Sequence, residues 1–81
     1  MLGYLVYSKA GHDKGEIYLV INEDERYVWL VNGLDKKIQN PKKKNKKHVQ
    51  LIKVYYEIND LHLLTNEQVK YHIKKFDSNK I

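Results

Sequence analysis

The sequence has no cysteine and only one proline and four glycines in 81 residues, so a disulfide framework and a thiolate metal site are both excluded. Without those staples a hydrophobic core must hold the fold alone. No apolar run approaches the ~18 residues of a membrane span, and the first seven residues are too short for a leader. The expectation is a cytoplasmic monomer that does not associate with membranes. The chain is also shorter than the usual ~100–150-residue domain, which argues against a multidomain enzyme. Surface scaling lets about 64% of the unfolded surface be buried, enough for one modest core. Acids are missing from residues 36–47, where seven lysines stand, while five of the ten acids lie between residues 13 and 25. The net charge of +5 is therefore gathered in one segment, which suggests an anionic partner.

Aromatic and β-branched residues fill the first third of the chain. Tyr4-Leu5-Val6-Tyr7 reads as a strand, residues 8–15 as a turn, and residues 16–21 as a second strand with Ile17, Leu19 and Ile21 on one face and Tyr18 and Val20 on the other. A third strand, Tyr27-Val28-Trp29-Leu30-Val31, is apolar on both faces and so belongs inside a sheet, with Asn32-Gly33 closing it. A short extended piece around Lys37-Ile38-Gln39 gives a fourth strand, and alternation over residues 48–54 gives a fifth. Short strands with close turns favour a small closed or half-closed barrel, because closure removes edges. The tail differs. Thr65 and Gln68 form a capping box, Leu64 can staple onto Val69, and Val69, Ile73 and Phe76 follow a helical course, predicting a helix over residues 66–76. The expected division is a barrel over residues 1–58, including a basic loop at 36–48, and a C-terminal extension over 59–81.

The segment Gly3-Tyr4-Leu5-Val6-Tyr7-Ser8-Lys9-Ala10-Gly11-His12-Asp13-Lys14-Gly15-Glu16-Ile17-Tyr18-Leu19-Val20-Ile21 resembles the KOW motif of ribosomal and transcription-elongation proteins. Pro41-Lys42-Lys43-Lys44-Asn45-Lys46-Lys47-His48-Val49-Gln50 is similar to the basic stretch of bacterial KOW-domain RNA-binding proteins related to archaeal and eukaryotic large-subunit ribosomal proteins. The resemblance covers residues 2–52 and extends weakly to the final helix. It implies a mainly β fold, an SH3-like five-stranded barrel with a short C-terminal α-helix. It also implies binding to RNA, ribosomal RNA of the large subunit above all, with ribosomal proteins as possible further partners. His12 departs from the pattern, standing where arginine is common, and Lys36-Lys37 stand where an arginine-bearing turn is expected. Lysine keeps the charge at such a site but not the bidentate or stacked geometry of arginine.

The residues support that reading independently. Gly11 and Gly15 bracket a polar turn in which positive φ and close backbone approach to a phosphate are available, with Lys9, His12 and Lys14 around it. A tight hairpin with glycines present for geometry would look the same. Lys42, Lys43, Lys44, Lys46 and Lys47 are expected to extend into solvent as a flexible positive arm, joined by Lys36, Lys37 and His48. The arm has no arginine and no aromatic residue, which favours phosphate contact over base reading. Among the seven tyrosines, Tyr7 and Tyr18 flank the glycine turn and are the candidate base-stacking residues, while mid-strand Trp29 is expected in the core. The four histidines lack a metal-ligand spacing, and Ser8, His12 and Asp13 merely mimic a catalytic cluster on an open turn, so no metal, cofactor, small-molecule substrate or enzymatic activity is expected. The rivals to RNA binding are an SH3-like protein-interaction module and a transcription-associated KOW domain.

Overall fold

The computed structural model describes residues 1–59 and 62–78. Five strands, β1 (Tyr4–Ser8), β2 (Ile17–Glu23), β3 (Tyr27–Val31), β4 (Lys42–Asn45) and β5 (Val49–Tyr55), precede one helix, α1 (Asn66–Ser78). They form a single antiparallel sheet in the order β4-β3-β2-β1-β5. The fourth strand is the lysine run itself. Residues 37–39, expected as a strand, lie in the turns that connect β3 to β4.

Side-chain alternation gives this sheet two apolar faces. Leu5, Ile17, Leu19, Ile21 and Val31 join Ile52 and Val69 on one, and Val6, Tyr18, Val20, Val28 and Leu30 join Val49 on the other. Burial on both faces is why β2 and β3 read as nearly continuous apolar runs. The first face is covered by α1, and Val69 is wholly buried there. Among the described residues no second layer of secondary structure covers the other face, so its fully hidden Val6, Val20, Val28 and Leu30 are enclosed by the curl of the sheet, with Met1 packed against them. A bulge in β2, where the register shifts between Val20 and Asn22, sharpens that curl.

The sheet is not closed into the expected barrel by strand pairing: β4 and β5 are its two edges. A 3-10 turn, Lys46–His48, carries the chain between them, capped by the Asn45 side chain, which accepts from Lys47 N–H at 2.9 Å. Backbone bonds from Lys46 N–H to Arg26 O (2.9 Å) and from Lys9 N–H to His48 O (2.7 Å) anchor both ends of this turn.

The helix begins as its capping box predicts. Gln68 N–H donates to Thr65 Oγ1 at 3.1 Å, and Thr65 N–H donates to Gln68 Oε1 at 3.0 Å. It runs two residues past Phe76, to Ser78. The loop after β3 holds the first turn of α1, with Ile38 N–H donating to Asn66 Oδ1 and Asn66 Nδ2 to Gln39 Oε1, both at 2.9 Å. Gly33, at φ 79°, is where loop and helix meet, and a Cβ there would overlap the Asn66 carbonyl oxygen.

Candidate nucleic-acid interface

The turn between β1 and β2 is built around Asp13. Its Oδ1 accepts from Lys44 Nζ at 2.9 Å, its Oδ2 accepts from the Tyr18 hydroxyl at 2.9 Å, and Lys42 Nζ lies 3.0 Å from Oδ2. The Ser8 hydroxyl, with one proton to give, stands 2.8 Å from Asp13 Oδ1 and 3.0 Å from the Ala10 carbonyl. Burial alone would raise the Asp13 carboxyl, but the bonds from Lys44, Ser8, Lys42 and Tyr18 outweigh it and hold the group well below the ordinary carboxylate range. Burial, and then the bond to ionised Asp13, push the Tyr18 phenol far above its ordinary value. Around this hub the backbone turns tightly. Gly15 N–H donates to Ser8 O at 2.8 Å, Glu16 N–H to Asp13 O at 2.9 Å, and Gly11 and Gly15 take φ of 87° and 91°.

This arrangement overturns the flexible arm. Residues 42–45 are a strand, and three of the five lysines already have acidic partners. Lys42 and Lys44 share Asp13, and Lys46 Nζ lies 2.9 Å from Glu23 Oε1. The N-terminal ammonium first, and Lys46 after it, hold Glu23 at about 2. The acids that neutralise the run lie 19 or more positions away, so nothing beside it in the sequence announces them. Lys43, between the two lysines that reach Asp13, goes to the other side of the strand, its Nζ 4.3 Å from the Tyr27 ring centroid and 5.7 Å from that of Trp29.

Of the two stacking candidates, Tyr18 is corrected. Tyr18 is 2% exposed with its hydroxyl committed to Asp13, so it has no face to offer a base. Tyr7 is half-buried against the helix-side core. Trp29, expected inside the core, packs against it but is itself half-buried. A signal for this was present: period two puts Tyr27 and Trp29 on one face of β3, and that face is apolar only toward Val31.

Among the exposed basic residues, Lys9, His12 and Lys14 stand on the glycine turn and Lys47 and His48 on the 3-10 turn, while Lys37 and Lys43 are exposed elsewhere. Lys9, Lys14 and Lys47 make no ion pair among the described residues. The Lys9 to His48 backbone bond brings the two turns side by side. Lys36 and Lys37 belong to the loop after β3, and Lys36 lines one cleft with His12 of the glycine turn. That cleft is also lined by Asp13, Glu16, Asp35 and Lys42, so it carries both signs of charge and no preference for an anion. No known family model matches the chain, and no curated protein matches it.

Proposed function

We propose that this protein is a non-enzymatic RNA-binding module, an SH3-like KOW barrel in its finer classification, that grips the phosphates of structured RNA along the edge formed by the glycine turn and the 3-10 turn. Ribosomal RNA is the candidate by the sequence resemblance. The observation that carries the reading is the Lys9 N–H to His48 O bond, which joins two exposed basic turns into one edge over a hub that keeps the glycine turn rigid. Backbone N–H groups and lysines presented by a rigid turn suit phosphate oxygens, and the net charge of +5 favours the encounter.

With Lys42, Lys44 and Lys46 already ion-paired, the edge and Lys43 leave three or four lysines to displace counterions. The binding constant for RNA should then fall with salt at a log–log slope of roughly −2 to −3.6, about 20- to 150-fold between 50 and 200 mM. Co-sedimentation with large ribosomal subunits, followed by sequencing of crosslinked RNA, tests the identity of the partner. A flat salt dependence overturns phosphate contact. A second reading, a protein-interaction module, is favoured by edge strand β5, where Leu51 and Tyr55 are 38% and 54% exposed. Salt-insensitive capture of a protein strand, abolished by Tyr55→Lys, would favour it instead.

A further inference from the structure

Tyr27 and Trp29 stand on one face of β3, and in the ladder Trp29 pairs with Lys43 of β4 while Tyr27 pairs with Asn45. Both rings are half-buried, and the same ammonium lies over both, which shows that their outer faces border one shared space open to an exposed side chain. An exposed cation over a ring is weakly held and is readily exchanged for another flat or charged group. The neighbouring acids are engaged. Glu23 is ion-paired with Lys46, and Asp24 Oδ1 accepts from Arg26 N–H at 2.9 Å and Tyr27 N–H at 2.7 Å. On the β2 side Asn22, the ladder partner of Trp29, is exposed, and its Oδ1 accepts from Glu23 N–H, which leaves Nδ2 as the donor of its amide.

We propose that this face is a stacking site for one unpaired nucleobase of the bound RNA. The base lies against the Tyr27 and Trp29 rings, Asn22 Nδ2 donates to a base carbonyl oxygen, and Lys43 leaves the rings for the adjoining phosphate. The site rests on the RNA-binding reading and adds base contact to it. Every base offers a π-face, so the rings supply affinity and the single amide donor a mild preference for carbonyl-bearing bases such as uracil. It also gives the lysine strand a division of labour: Lys42 and Lys44 hold the hub while Lys43 serves the ligand.

Trp29 is the one tryptophan of the chain, so its emission reports the site directly. The full chain is titrated at low salt with a short oligouridylate and with an abasic ribose-phosphate oligomer of equal length. The oligouridylate should quench Trp29 and bind about 5- to 150-fold more tightly than the abasic oligomer, the range expected of one stacked base. Tyr27→Leu should reduce that ratio toward one, whereas Lys14→Gln should weaken both oligomers and leave the ratio intact. The quench and the ratio are read on the unaltered chain, so the test holds even where a variant misfolds. Equal affinities with unchanged Trp29 emission overturn the stacking site and leave phosphate binding standing. Failure of both oligomers to bind overturns the stacking site, and the co-sedimentation test with large ribosomal subunits then decides separately whether phosphate binding to structured RNA stands.

Discussion

Val69 in α1 is wholly buried and Lys44 in β4 keeps 11% of its side chain exposed, so helix and lysine strand are both pressed onto the body of the protein. Val69 is held by the apolar face of the sheet, in a stripe that repeats along its own helix. Lys44 is held by a carboxylate 31 positions earlier in the chain, which also takes Lys42, Tyr18 and Ser8. Apolar burial leaves a periodic trace in the sequence that produces it, whereas burial by charge pairing leaves none unless both partners are already known to meet. A run of lysines can therefore be scaffold at alternate positions and solvent-facing at the others.

Removing the hub should break the strand side most severely. Asp13→Ala strips two ammonium groups, a phenol and a hydroxyl of their shared acceptor and should cost about 3 kcal/mol, the lower end for a buried pair because Lys42 stays partly exposed. Urea unfolding checks it, and a loss below ~1 kcal/mol would show that the hub does not hold β4. On the helix side Val69→Ala removes two buried carbon groups and should cost about 2 kcal/mol, seen as a lowered Tm.

Alternation within β4 can be tested directly. Lys42→Gln with Lys44→Gln should cost about 1–2 kcal/mol of stability. Lys43→Gln with Lys47→Gln should stay within ~0.5 kcal/mol of the parent and yet lose more RNA affinity. Equal losses of stability in the two double variants would erase the distinction between the faces. Acid separates the two regions by pH. Glu23 falls from an ordinary 4.5 to about 2, so its stabilisation is present above pH 4.5 and is lost as pH falls from there through about 2, with Asp13 acting in the same direction. His72, stacked on Tyr56 at 3.9 Å with its Nδ1 buried and unpartnered among the described residues, is lowered from 6.5 by burial and by Lys75. Its smaller contribution is present above pH 6.5 and is lost as pH falls through the depressed value. Unfolding curves across pH should show the shallow helix-side loss before the steeper strand-side one.

Strands β1 to β3 and helix α1 were readable because their partners are apolar surfaces, for which alternation, a capping box and a stripe suffice. Tyr18 could not be placed, since whether a tyrosine ring stacks on a ligand or fills the core depends on where its hydroxyl finds an acceptor, here Asp13 across the turn. The fourth strand was hidden because Lys-Lys-Lys-Asn has no apolar alternation, and the extended look of residues 37–39 drew the assignment to the wrong place. On the candidate interface, the exposed turn residues Lys9, His12 and Lys14 lay where the glycines pointed. The Tyr27, Trp29 and Lys43 face depended on the pairing of β3 with β4, which no local pattern specifies.

The pairing of β1 with β5, Tyr4 opposite Tyr55 and Ser8 opposite Val49, has a consequence in time. When β2 has emerged during synthesis, β1 has one neighbour and its other edge is bare. The 32 residues from Glu23 to Tyr55 still have to be made, about 2–6 s at ordinary elongation rates. Throughout that interval Tyr4-Leu5-Val6-Tyr7 presents an unpaired apolar edge to any strand nearby, the condition under which chains associate wrongly. A change that delays the docking of β5 on β1 should therefore raise the fraction of newly made chain that aggregates.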